Sequence, residues 1–296
     1  MGIRISTPML YGSATRGLFQ NLERVYQAQE ALATQKKIQR PGDDPAVFRR
    51  IETCKGTKRA VEQYQRNISF AQEYLAEAET SVSSVANLLA RARELAVQGA
   101  NGTLDAQSLS GLASEVGSIR EEVLSLANAQ WTGGKETGSR YLFSGYRSET
   151  AAFSQDGVYQ GDNGAFAIDV APGERMTIGL VGRSVFQGDV DVLAVLDELR
   201  QGLESADSDR ISGLLDNLDR SIMQVSRAQA EIGARLNCLD QTYARLKDNL
   251  SYLENFVSSA EDLDIVEAAS RLTKYQSALQ ATILAAQSIF NTILGY

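Results

Sequence analysis

The chain has 296 residues, 43% of them hydrophobic, with four prolines, two cysteines, no histidine and a formal net charge of −8. That length exceeds a usual single domain of about 100 to 150 residues and suits two domains, or one elongated bundle with an insert. The acidic balance argues against nucleic-acid binding, which draws most of its affinity from phosphate neutralisation, and the lack of histidine removes the commonest general base, proton shuttle and zinc ligand. Catalytic, cofactor and metal sites are therefore not expected. Cys54 and Cys238 each fall inside a helical pattern without a partner at metal-ligand spacing, and read as small core or helix-surface residues. Met1–Leu10 lacks an apolar run long enough for the core of a cleaved signal peptide, so the general secretory route is not expected.

Gly2–Pro8 alternates polar and apolar residues around a proline, which predicts an extended or unordered start. Tyr11, Thr15, Leu18, Leu22, Val25, Gln29 and Leu32 then recur at spacings of three and four and predict an amphipathic helix. Gln39-Arg40-Pro41-Gly42-Asp43-Asp44-Pro45 breaks it, and Asp44-Pro45 suits the N-cap and first turn of the next helix. Capping explains the adjacent carboxylates of Asp43 and Asp44 better than acid–base or metal chemistry does. From Ala46 to about Gln98, the positions Val61, Tyr64, Ile68, Ala71, Leu75, Ala78, Val82, Val85, Leu89, Ala92 and Ala96 hold a strict three-four alternation. That pattern predicts coiled-coil packing in a helix roughly 80 Å long. Gly99–Thr103 reads as a turn, and Asp105 opens a third helix, with Leu109, Leu112, Val116, Ile119, Val123 and Leu126 on one face, expected to fold back on the second.

Between Trp131 and Gly188 glycine becomes frequent and helical periodicity disappears. Tyr141–Phe143, Phe166–Val170 and Met176–Val181 read as strands of a small β-rich domain, with a hairpin turn at Gly161-Asp162-Asn163-Gly164. Trp131 and the tyrosines of this stretch read as core rather than as a sugar-binding face. After Asp189, Val192, Val195, Leu199 and Leu203 give a short helix. A long one follows, in which Leu218, Ile222, Val225, Gln229, Ile232, Leu236, Leu239, Tyr243, Leu246, Leu250, Leu253 and Val257 keep the heptad. Two such helices around an insert suggest an antiparallel hairpin. The last helix begins at Asp264, with Glu267 placed to complete a capping box, and Ala269, Leu272, Gln276, Leu279, Ile283, Ala286, Phe290 and Ile293 form its stripe. From Tyr275 onward it carries no charge, yet it is too interrupted by polar residues to insert in a membrane.

The order of these parts resembles the flagellin-like axial proteins of the bacterial flagellum. Arg4-Ile5-Ser6-Thr7, Arg40-Pro41-Gly42-Asp43-Asp44-Pro45-Ala46, Gly99–Leu104, Arg140-Tyr141-Leu142-Phe143-Ser144-Gly145-Tyr146 with Phe153, Glu231-Ile232-Gly233-Ala234-Arg235-Leu236-Asn237 and Ala278-Leu279-Gln280-Ala281 are similar to segments of the hook-filament junction branch, the third hook-associated proteins. The ending Ile293-Leu294-Gly295-Tyr296 departs from the double-leucine ending common in flagellins. The resemblance implies a mainly α protein with a small β-rich insert: an elongated antiparallel helical rod carrying an outer β domain. Its divisions would be an N-terminal assembly helix and linker (1–45), two rod halves (46–130 and 189–260), the outer domain (131–188) and a C-terminal assembly helix (261–296).

It also implies a structural adaptor, monomeric before assembly and a ring within the flagellum, whose partners are copies of itself, the hook-side junction protein, flagellin and a flagellar export chaperone. Export would be by the flagellar type III apparatus, without a cleaved signal. Leu18, Leu22, Val25, Leu32, Leu272, Leu279, Ile283, Phe290 and Ile293 are the expected subunit contacts, with Arg40, Pro41, Asp43, Asp44 and Pro45 a structural turn and cap. The competing readings are a minor flagellin of the filament, a carbohydrate-binding or enzymatic module on a helical stalk, and a cytosolic coiled-coil signalling rod.

Overall fold

The computed structural model describes residues 7–102, 104–133 and 140–294, without the side chains of residues 7, 8, 10, 289, 290 and 292–294. Two compact units make up the chain: Ala60–Asp248, and a second one that joins Met1–Arg59 to Asn249–Tyr296. Each has its own seam between antiparallel helices.

In the unit Ala60–Asp248 the framework is the pairing of α2 (Pro45–Ala100) with α6 (Ser208–Glu261). Asp44 starts α2 by accepting from the amides of Ala46 and Val47, both at 3.0 Å, and Asp207 starts α6 by accepting from Arg210 N at 3.0 Å. The α2 stripe from Val61 to Ala96 is buried at every position except Tyr64, which is half-buried. On α6 every seventh residue is buried: Leu218, Val225, Ile232, Leu239, Leu246 and Leu253; the intervening stripe positions are half-covered. Polar pairs set the antiparallel register, with Arg93 on Asp219 at 2.5 Å, Gln229 on Glu79 at 3.0 Å and Gln72 on Asp240 at 2.6 Å. Arg93 and Asp219 are nearly half exposed. Exposed pairs of that kind contribute about 0.2–1 kcal/mol, whereas each buried Leu or Val of the seam contributes about 1.5–3 kcal/mol. The apolar seam therefore dominates the pairing.

Helix α3 (Ala106–Ala127) starts at Asp105, which accepts from Ser108 N, and packs along α5 (Val192–Glu204), itself capped by Asp191. The expected fold-back onto α2 takes this form because α5 offers the apolar partner. Leu109, Val116, Ile119 and Val123 are buried, Arg120 pairs with Asp197 across the two helices at 3.0 Å, and Arg91 on α2 reaches Glu115 at 2.7 Å.

The insert holds less sheet than its composition suggests. Among the described residues β1 (Gln130–Trp131) pairs with β2 (Arg140–Tyr141), and β3 (Ala167–Ala171) with β4 (Glu174–Thr177), each antiparallel. A short helix, α4 (Gly182–Phe186), follows. The turn of the β3–β4 hairpin is Pro172-Gly173, with Gly173 at φ +75°, and not Gly161–Gly164. There, the Asp162 carboxylate accepts from Tyr146 N at 2.9 Å and Gly164 N at 2.8 Å, so the loop closes onto another segment rather than onto its own flanks. Leu142, Phe143, Phe153 and Phe186 form the insert's core, and Tyr74 of α2 donates to Leu142 O at 2.7 Å. Burial pushes the Tyr74 phenol well above its ordinary value. Trp131 is buried, edge-on to Phe70 and Tyr74, as a core residue. Cys54 is half-buried and Cys238 exposed, both as free thiols.

Candidate assembly site: the paired terminal helices

In the other unit, α1 (Thr7–Thr34) lies antiparallel to α7 (Ile265–Leu294). Thr7 and Pro8, expected in an extended start, belong to α1; residues 1–6 lie outside the described part. The register is visible at both ends. Leu263 N donates to Gln35 O at 2.9 Å, and Asn21 Nδ2 donates to Thr282 Oγ1 at 2.7 Å. Asp264 caps α7 by accepting from Val266 N and Glu267 N at 2.9 and 3.1 Å. Glu267 does not return to the cap as a capping box requires; it pairs with Arg271 at 2.6 Å, one turn on.

Among the residues expected to meet neighbouring subunits, Val25 is buried in the α1–α7 seam, and Leu18, Leu32, Leu272 and Leu279 are half-buried. Leu22 is 52% exposed and Ile283 38%. The side chains of Phe290 and Ile293 lie outside the described residues. Beside Leu22, the heptad reading missed Phe19 and Tyr26, which are 67% and 64% exposed. Phe19, Leu22 and Tyr26 are spaced by three and four, a second stripe that the same rule could have found. On α7 the exposed apolar side chains are Ile265, Val266, Ile283 and Leu284. Three aromatic rings, Tyr11, Phe19 and Tyr26, and several aliphatic side chains thus face solvent on this helix pair, which is how association surfaces present themselves.

The link from α1 to α2 is a built turn. Asp43 N donates to Arg40 O at 3.0 Å across Pro41-Gly42, and Asp43 Oδ2 accepts from the amides of Gln39 and Arg40 at 2.9 and 3.0 Å. Those two amides, Gln39 first, hold the Asp43 carboxyl below its ordinary value. Arg40 reaches back to Glu30 on α1, and Pro45 occupies the first turn of α2, where its missing N–H costs nothing. The adjacent carboxylates are therefore consumed by turn and cap. Among the described residues no group of His, Cys, Asp or Glu could hold a metal ion, and no helix is long and apolar enough to cross a membrane.

The motif segments have structural roles in the unit Ala60–Asp248. In Arg140–Tyr146, Leu142 and Phe143 are buried, Ser144 Oγ donates to Thr150 O at 2.7 Å, and Gly145 takes φ +69°. In Glu231–Asn237, Arg235 pairs with Glu231 and extends to Gly179 O of the insert.

Residues 5–147 match the family described as bacterial flagellin N-terminal helical region, and residues 215–293 the one described as bacterial flagellin C-terminal helical region. Flagellar hook-associated protein 3 of Escherichia coli strain K12 is 27% identical over 95% of both chains. Flagellin of Listeria monocytogenes is 24% identical over 95% of this chain and 93% of its own. A solved structure from Vibrio parahaemolyticus, assigned as a flagellar hook-associated protein, superposes with a TM-score of 0.67 at 28% identity, covering 74% of this chain and all of that one. With both flagellin halves matched in order and the antiparallel helices in place, the chain belongs to the flagellin-like axial proteins of the bacterial flagellum, in their hook-associated branch.

Proposed function

We propose that the protein is a non-enzymatic structural adaptor that joins the hook side of the flagellum to its filament, assembling as a ring through the paired terminal helices. Its neighbours in this reading are copies of itself, the hook-side junction protein and flagellin. A flagellar export chaperone holds α7 before passage through the flagellar type III apparatus. The observation that carries the reading is the exposed apolar stripe on α1 and α7, Phe19, Leu22 and Tyr26 with Val266, Ile283 and Leu284. Leaving that much apolar surface in water is unfavourable, at about 25 cal/mol per Å², and burying it between subunits supplies the drive for assembly. Family membership and the similarity to hook-associated protein 3 support the location.

In a strain lacking the native copy, the chain deleted of residues 265–296 is expected to neither bind the chaperone nor support filament growth. Growth of normal filaments from the truncated protein overturns the reading.

A further inference from the structure

Where α1 leaves its partner and α6 ends, the chain closes a small ionic knot. Gln35–Lys37 and Glu261–Leu263 run antiparallel: Lys37 N donates to Glu261 O at 2.8 Å, Leu263 N to Gln35 O at 2.9 Å, and Lys36 pairs with Asp262 as an isolated bridge. Gln35 takes φ +58°, a left-handed conformation that a non-glycine residue holds only when its surroundings impose it. Lys37 Nζ adds a bond to Ser259 O at 2.8 Å. At the centre lies the Glu261 carboxylate, with its side chain only 8% exposed. It receives Lys36 Nζ from the linker at 2.6 Å and Lys55 Nζ from α2 at 3.0 Å. One carboxylate therefore ties three segments distant in sequence.

We propose that Lys36–Glu261–Lys55 is a pH-gated electrostatic clasp that holds the α1–α2 linker and the α6–α7 joint together as one unit and so sets the register in which α1 meets α7. The two crossings support each other, because losing either arm leaves the buried Glu261 carboxylate with one cation instead of two in a site where under-compensated charge is costly. The charged groups facing Glu261 are Lys36 on the linker and Lys55 on α2; Glu52 sits behind Lys55 at 3.5 Å, and on its own side Asp262 is engaged by Ser258 Oγ at 2.5 Å. Burial works against ionised Glu261, but the bonds from Lys36 and Lys55 outweigh it and hold the carboxyl below its ordinary 4.5. Burial likewise works against Lys55, and the bond to Glu261 outweighs it and raises the ammonium above its ordinary 10.5. A carboxyl with a lowered value in the folded state contributes stability that is complete above 4.5 and is lost as pH falls through the folded value. A lysine with a raised value contributes stability that is complete below 10.5 and is lost as pH rises through its folded value. The clasp is thus closed across the neutral range and opens at both extremes.

The test is residue-resolved amide exchange by NMR on the full chain, wild type against Glu261→Gln and Lys55→Met, read at Lys37 N and Leu263 N. At neutral pH both variants are expected to exchange at these two amides at least about tenfold faster than wild type. Amides of Ile232–Leu246 and the emission of Trp131 are expected not to change. As pH falls below 4.5 and through the lowered folded value of Glu261, the wild type should converge on Glu261→Gln at Lys37 and Leu263, because protonating Glu261 removes what the substitution removes. Equal exchange in wild type and both variants at neutral pH, or a difference that persists in acid, overturns the proposal. Should Glu261→Gln disturb Ile232–Leu246 as well, Lys55→Met decides alone: it removes one arm of the clasp and leaves the carboxylate paired to Lys36.

Discussion

The two aspartates at the linker divide the work between them. Asp44 closes the first turn of α2 through two amides, and Asp43 closes the turn before it through two others. Asp44→Ala is expected to destabilise the protein by about 1 kcal/mol, within the range of about 0.5–2 kcal/mol for N-cap losses, measured as a shift in urea midpoint at unchanged slope. Gly145 is a second fixed point. Its φ of +69° disfavours any L side chain, and a Cβ there would be driven into the Asp162 carboxylate and to within 2.7 Å of its backbone oxygen. Gly145→Ala is expected to cost at least about 1–2 kcal/mol, read as a lowered midpoint of Trp131 fluorescence on unfolding. Sequence pattern made the Asp44 cap legible, since an N-cap is a local rule. It misassigned Glu267, because Arg271 four residues on offers an i,i+4 pair that competes with the capping box. Nothing local announced Glu261: its two lysines, Lys36 and Lys55, lie at the other end of the chain.

At the scale of elements the heptads were the readable part. The stripes of α2 and α6 run long enough for periodicity to outweigh noise, and the burial pattern follows them turn by turn. The insert was legible only in character, because its shape depends on bonds between distant loops, such as Asp162 to Tyr146, which have no period. For the terminal pair the pattern found the seam with Val25 and passed over Phe19 and Tyr26. A single stripe was sought, and α1 carries two, one in the seam with α7 and one exposed. Phe19→Asp with Leu22→Asp puts two carboxylates on that second stripe and replaces only exposed residues. The double variant is expected to keep the wild-type melting temperature to within about 2 °C while losing incorporation into flagella, scored by motility in soft agar and by Western blot of sheared flagella. Normal motility with the double variant would place the contacts elsewhere.

For the whole molecule, the family fixes what kind of structure it belongs to, and the position within that structure follows from the adaptor reading. A junction protein and a minor flagellin share the same helical ends and differ in where copies accumulate. Immunogold labelling of intact flagella, with an epitope inserted after Pro172 in the exposed β3–β4 turn, separates them directly. The adaptor account predicts one cluster of gold where the hook meets the filament. Label spread along the filament, or absent from flagella, would contradict it.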